Sequence, residues 1–235
     1  MKIALLADIH ANADALSAVL AAAKVADVDQ ILVAGDTIGY YYQPDRVFRL
    51  LQEWSWTMVR GNHEEMLRDW LAGQGQDDIR RRYGTGLAQA ARCLTERQIE
   101  DLLALPPTRE LQVDGRRVLL CHGSPWDLNA YVYPDAADEV PRRMAAGGHD
   151  LVVFGHTHYP VVWELDSARI VNPGSVGQPR DRKPGACWAI WDTQADTVVL
   201  RREPYDVSRI TAECCRRDPD LPYLADVLAR TGSDA

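Results

Sequence analysis

The sequence predicts an α/β protein with two sheets. Two observations carry that prediction. Short apolar runs alternate with helical patterns over the first sixty residues, and short strands dominate again from Val161 onward. Between these regions, about 64–105, the pattern is strand-poor and helical, and it reads as an insertion or cap.

Ile3–Ala7, Ile31–Ala34 and Thr57–Val59 read as buried strands, short and bounded by turn signals. Between the first two, Leu16, Val19, Leu20 and Ala23 recur at helical spacing, with Asn12 as the expected N-cap. Pro44 opens a second helix carrying Val47, Leu50 and Leu51. This β-α-β-α-β opening predicts a mostly parallel sheet. Strands resume at Arg109–Val113, turn at Asp114-Gly115 and return at Val118–Cys121. An irregular loop, a helix near 136–146 and the strand Leu151–Phe154 follow. The expected later strands are Val161–Leu165, Ile170–Asn172, Ala186–Trp191 and Val198–Arg201, and charged helical segments close the chain. With no repeat, low-complexity tract or linker, one domain over residues 1–235 is expected.

Composition narrows the partners. The chain has 235 residues, 26 Lys plus Arg against 34 Asp plus Glu, and a formal charge of −8. That balance argues against broad electrostatic capture of duplex nucleic acid. It leaves room for an anionic substrate, because bound divalent ions reverse a local field. The cysteines Cys93, Cys121, Cys187, Cys214 and Cys215 are odd in number and irregularly spaced, as expected of reduced intracellular thiols. The apolar run Ile3–Ala7 is too short for a signal core, and no stretch approaches a membrane span. A cytoplasmic protein with no membrane partner is the expectation.

The expected strands end in one kind of chemistry. The clusters are Asp8-Ile9-His10, Gly35-Asp36, Gly61-Asn62-His63-Glu64, Cys121-His122-Gly123 and Gly155-His156-Thr157-His158. Ligands of α/β sheets sit outside the carboxyl ends of strands. One Asp or His at such an end is most simply a turn residue or a cap. Five ends that gather every histidine except His149 point instead to a metal site. Alternation at a strand end predicts that Asp8 and His10 face one site, and His156 and His158 likewise. These oxygen and nitrogen donors suit Mn, Fe, Zn, Co or Ni. Cys121 is expected to turn into the core.

In order, DxH, GD, GNHE, HG and GHxH resemble the calcineurin-like metallophosphoesterase superfamily. The runs NPGSVGQPRD and GDTIGYYYQP resemble its small bacterial and archaeal YfcE-like phosphodiesterases. The resemblance implies a four-layer α-β-β-α sandwich of two mixed sheets flanked by helices. It implies two divalent transition-metal ions, Mn foremost. Asp8, His10 and His158 would hold one ion, Asn62, His122 and His156 the other, and Asp36 would bridge them. A metal-bridging hydroxide would attack phosphorus, with His63 stabilising the transition state or protonating the leaving oxygen. Asn62 and His63 would also touch the substrate, a small phosphodiester or nucleotide. A dinucleoside polyphosphate is the alternative substrate. A non-catalytic metal-binding scaffold or regulatory module is the alternative of another class. A retromer subunit of this resemblance works as a scaffold and lacks the GNH histidine, which this chain keeps as His63.

The chain departs from the related phosphoprotein phosphatases. Their GDxxDRG motif is here Gly35-Asp36-Thr37-Ile38-Gly39-Tyr40-Tyr41, without the Asp that orients the histidine or the Arg that grips phosphate. Glu64 is a candidate orienting partner for His63, or simply a first-turn helix acid. Arg180 is the candidate phosphate grip, or a surface arginine beside Arg182 and Lys183. Tyr40, Tyr41 and Tyr42 would stack on a nucleobase or pack under the helix at Pro44, and Trp126 divides similarly. The Arg142-Arg143, Arg201-Arg202 and Arg216-Arg217 pairs read as solvated. The motifs define a reaction, not a leaving group: monoester, cyclic nucleotide, diester and polyphosphate share them.

Overall fold

The computed structural model describes residues 1–232. The opening runs β1 (Lys2–Leu6), α1 (Ala13–Val25), β2 (Gln30–Val33), α2 (Pro44–Leu51) and β3 (Trp56–Met58). Four helices follow: α3 (Asn62–Leu71), α4 (Gln76–Tyr83), α5 (Gly86–Cys93) and α6 (Glu96–Leu103). Next come β4 (Thr108–Val113), β5 (Arg116–Cys121), α7 (Glu139–Ala145), β6 (Leu151–Val153), β7 (Val161–Glu164) and β8 (Arg169–Asn172). The chain continues through β9 (Ala186–Asp192), β10 (Thr197–Glu203), α8 (Ser208–Arg217) and α9 (Tyr223–Ala229).

Among the described residues ten strands form two mixed five-stranded sheets, ordered β10-β9-β1-β2-β3 and β4-β5-β6-β8-β7. The parallel part of the first sheet is β1-β2-β3, as expected; β9 adds to β1 and β10 to β9 antiparallel. Asp114 and Gly115, both left-handed, make the expected tight turn between β4 and β5.

Period-two burial builds the layers. Ile3 and Leu5 of β1 face Val118 and Leu120 of β5 and Val153 of β6 in the core between the sheets. Ala4 and Leu6 point the other way, onto Leu16 and Val19 of α1 and Val47 of α2. Cys121, Val152 and Phe154 cover the far face of the second sheet with Met144 of α7. The result is the four-layer sandwich. Truncating a between-sheet leucine such as Leu120 to Ala would cost about 2–5 kcal/mol.

Asn12 caps α1, accepting from the Ala15 N–H at 3.1 Å, while its amide donates to the Gly177 carbonyl and Tyr205. Pro44 starts α2 as expected. Tyr41 and Tyr42 are buried, and α8 and α9 cover them in place of α2. The Tyr41 hydroxyl donates to the Leu224 carbonyl at 3.1 Å, and that of Tyr42 to Asp218 at 2.7 Å. Stacking on a base is therefore closed to both. The arginine pairs are not simply solvated. Arg143 lies over the Trp126 ring at 3.8 Å, Arg202 bonds Asp181, and Arg217 bonds Glu213.

Candidate metal centre

β1, β2 and β3 of the first sheet end side by side, as do β5 and β6 of the second, and the loops that follow are tied to one another. The Asp8 N–H donates to the Gly35 carbonyl at 3.1 Å, that of His10 to Asp36 at 2.9 Å, and that of Gly155 to His122 at 2.7 Å. The donors do not lie on strands, and alternation is not what aims them. Asp8, His10, Asp36, His156 and His158 all have left-handed backbones, with φ between 50° and 69°. Each such non-glycine residue stores about 1–3 kcal/mol of strain. The reversed backbone turns each side chain back over the strand ends.

Two groups of donors result. In one, His10 Nε2 lies 3.0 Å from His158 Nε2, and Asp8 Oδ1 lies 3.5 Å from His158 Nε2. In the other, the Asn62 side-chain oxygen lies 2.9 Å from both His122 Nε2 and His156 Nδ1. Asp36 Oδ2 stands between them, 3.8 Å from His10 Nε2 and 3.4 Å from His122 Nε2. All seven sequence-derived ligand candidates thus come together, and all are buried.

The fit to a cation follows from tautomers. His10 Nδ1 donates to the Ile38 carbonyl at 3.1 Å and His158 Nδ1 to the Gln178 carbonyl at 2.6 Å. Burial holds both rings well below the usual imidazole range, assisted at His10 by His63 and at His158 by the Arg180 guanidinium. Both rings are neutral, so both Nε2 atoms carry lone pairs. Two lone pairs 3.0 Å apart repel unless a cation serves them both. The carbonyls are the outer partners that fix a ligating histidine. His122 is oriented the same way, with Nδ1 on the Ala34 carbonyl at 2.7 Å.

The buried charges point the same way. Burial pushes Asp8 up to about 8, with the Asp36 charge adding to it. Against burial, which would lower it, the Asp36 carboxylate and then Asp8 push His122 up to about 10.

His63 lies in the first turn of α3, its Nε2 4.0 Å from Asp36 Oδ2. Burial holds its ring near 4. Glu64 does not orient it. The Glu64 carboxylate accepts the N–H groups of Asp36 at 3.0 Å, Thr37 at 2.8 Å and Gly61 at 2.7 Å. His63 Nδ1 has no hydrogen-bond partner among the described residues. Packing holds the ring instead, between His10, Tyr40 and Tyr83, with centroids 4.8, 4.8 and 5.2 Å away.

Arg180 is not an ordinary surface arginine. Its Nη2 donates to the Tyr40 hydroxyl at 2.9 Å and to Gln178 at 3.0 Å, while its buried Nε has no partner among the described residues. Tyr40 is buried edge-on to His10, ring centroids 4.6 Å apart, so it lines the site and offers no open stacking face. Cys121 is turned into the core, as expected.

Sequence reasoning missed the supports: Glu64 as a backbone clamp, and the run Asn172–Gln178. Asn172 donates to the Gly155 carbonyl at 2.9 Å, and Ser175 to the Asp8 carbonyl at 2.7 Å. Their signal was the Gly-rich turn after β8.

The fold is shared with known proteins. A metallophosphoesterase from Sphaerobacter thermophilus superposes with a TM-score of 0.77 at 28% identity, covering 98% of this chain and 99% of that one. A hypothetical protein of Pyrococcus horikoshii shares the fold, with a TM-score of 0.83 at 20% identity over 99% of both chains. The phosphoesterase YfcE of E. coli shares it more distantly, with a TM-score of 0.51 at 21% identity, covering 86% of this chain and 100% of that one. Residues 1–196 match the model of the calcineurin-like phosphoesterase superfamily domain, and the chain belongs to that superfamily.

Proposed function

We propose that the chain is a metal-dependent hydrolase of small phosphodiesters or nucleotides, working at the two donor groups that share Asp36. The facing lone pairs of His10 and His158, with a second donor set across Asp36, carry this reading. Asp8, His10, His158 and Asp36 would hold one divalent ion, and Asn62, His122, His156 and Asp36 a second. Bound there, such ions supply an activated water and draw charge from the phosphoryl oxygens, with Mn²⁺ the first ion to test.

The chain's own residues supply the rest. Water oxygen bonds to phosphorus, the ester P–O bond breaks, and the departing oxygen takes a proton. His63 Nε2 lies 4.0 Å from Asp36 Oδ2 beside the donor groups, and Nδ1 has no partner among the described residues, so the ring is placed to hydrogen-bond to that oxygen. The unpartnered Arg180 Nε is available to a phosphoryl oxygen, and Tyr40 fixes the guanidinium.

The test is hydrolysis by stripped protein reloaded with Mn²⁺. Bis-p-nitrophenyl phosphate, p-nitrophenyl phosphate and diadenosine tetraphosphate are compared, with His63→Ala as control. Turnover of the diester, lost in a variant that still binds metal, supports the proposal. Preference for the tetraphosphate would move the substrate to dinucleoside polyphosphates. No turnover of any ester by metal-loaded protein would point to the scaffold or regulatory reading.

A further inference from the structure

Past β5, the segment Ala130-Tyr131-Val132-Tyr133-Pro134 runs without helix or strand, and its burial alternates. Val132 is buried in the outer core of the second sheet, beside Cys121 and Phe154. Tyr131 and Tyr133 point outward, 62% and 41% exposed. The two rings stand side by side in solvent on one extended segment.

The Tyr131 ring lies 4.3 Å from the ring of His156, a candidate ligand, so the pair begins at the edge of the metal centre. Tyr133 continues away from it, within 16° of parallel and 6.1 Å from Tyr131 between centroids. Tyr159, next to His158, packs edge-on against Tyr133 at 5.6 Å. The segment is held in place by close approach. A side chain at Gly123, next to His122, would strike the Leu128 carbonyl and the Ala130 nitrogen. The loop therefore passes directly over the end of β5 and delivers Tyr131 to the site.

We propose that Tyr131 and Tyr133 form a stacking platform for a nucleobase, making the substrate a nucleoside phosphate ester whose phosphorus sits at the metal centre. Planar rings at a protein surface bind bases through their π faces, with little dependence on base identity. The proposal rests on the phosphoesterase reading, and it gives that reading a substrate class.

Two esters with one leaving group test it. Thymidine 5′-(p-nitrophenyl phosphate) and methyl p-nitrophenyl phosphate differ only in the nucleoside. Wild-type protein should prefer the first through KM. Tyr131→Ala and Tyr133→Ala should each reduce kcat/KM on the nucleoside ester at least about five-fold more than on the methyl ester, as expected for loss of base stacking. Tyr131→Phe should restore the preference, since the ring and not the hydroxyl binds. Equal losses on both esters, or no wild-type preference, would overturn the proposal.

A binding measurement separates its failure from failure of the parent reading. AMP and ribose 5-phosphate are titrated calorimetrically into the protein. Tighter binding of AMP, abolished in Tyr133→Ala, supports the platform even if neither ester turns over. Equal binding of the two would refute the platform even if both esters are hydrolysed.

Discussion

The Glu64 carboxylate accepts the backbone N–H of Asp36 at 3.0 Å, and Asp36 Oδ1 accepts the backbone N–H of His63 at 2.9 Å. The loop after β2 and the first turn of α3 are thus clamped by two carboxylates. Each satisfies donors that the other element exposes. The position of the shared carboxylate, and of His63 beside it, depends on this exchange.

Glu64→Gln tests the clamp. Both Glu64 oxygens accept backbone N–H groups, so an amide there sets one donor against another. The loss should be about 1–3 kcal/mol, the cost of an unsatisfied buried group. A thermal melt should show a lower Tm, and metal content after dialysis should fall. Unchanged metal content with a lower kcat alone would return Glu64 to the role of orienting His63.

Gly39→Ala tests how His63 is held. Gly39 has φ of 91°, and an added Cβ would land on His63 Nδ1. No hydrogen bond from the described residues anchors that nitrogen, so the ring should swing away from Asp36. A misplacement of about 1 Å can cost on the order of 10² in rate. The expected outcome is a kcat loss of that size with metal content retained. Wild-type kcat would show that the ring's position is unimportant.

Arg180→Ala should raise KM for phosphate esters at least several-fold, with a smaller effect on kcat. Arg180→Lys should recover little, since an ammonium cannot reach Tyr40 and Gln178 while still presenting a free N–H in the guanidinium plane. Steady-state kinetics on the preferred ester decide it, and unchanged kinetics would remove Arg180 from the site.

What the sequence made legible, and what it hid, follows from physical range. The central strands β1, β2 and β6 were legible because both their faces are buried, leaving apolar runs such as Ile3–Ala7. The ends of β1, β2 and β3 were placed a residue late, because Ala7, Ala34 and Val59 are as buried as the strands they follow, and the Ala34 and Val59 N–H groups still donate to Leu6 and Val33 of the neighbouring strands. The donor residues were legible as a set, since clustered Asp, Asn and His after successive strands have few other uses. The reason they converge was not legible. Left-handed φ at Asp8, His10 and Asp36 goes with contacts across the strand ends; Asp and His tolerate that conformation better than most residues, but the tolerance does not tell which positions adopt it. For Tyr41 and Tyr42 packing was one of the two readings, but their cover was not legible for a similar reason: the partners Leu224 and Asp218 lie far along the chain.

Thiol reactivity should divide the five cysteines. Cys121, Cys187 and Cys214 are buried, and burial pushes Cys187 and Cys214 up to about 12 and Cys121 higher still. At pH 8 their thiolate fractions are negligible. Cys215 is exposed and Cys93 half-buried. Intact mass after iodoacetamide should show two adducts on native protein, Cys215 first, and five after denaturation. A third adduct on native protein would mean that one of the buried shells opens.

Removing divalent ions should destabilise the protein, increasingly so as pH rises above 7. A ligand at 100 times its Kd adds about 2.7 kcal/mol. At about 2–4 °C per kcal/mol for a domain of this size, Tm should rise by roughly 5–11 °C on metal addition. The pH dependence has a definite sign. Burial raises Asp8, so its ionisation disfavours the folded, stripped protein from the ordinary carboxylate range up to about 8. His122, raised chiefly by Asp36 against burial, contributes stability that is lost as pH climbs towards 10. Buried His10 and His158 act oppositely, but only below about 6.5, where their unfolded counterparts protonate. Between pH 7 and 9 the stripped protein should therefore lose stability while the loaded protein, whose cations replace those protons, loses less. Scanning fluorimetry with and without Mn²⁺ at pH 7, 8 and 9 should show a widening gap. Calorimetric titration in buffers of different ionisation enthalpy should register proton release on binding. A gap that is absent or that narrows with pH would show that cations do not bind through Asp8 and His122.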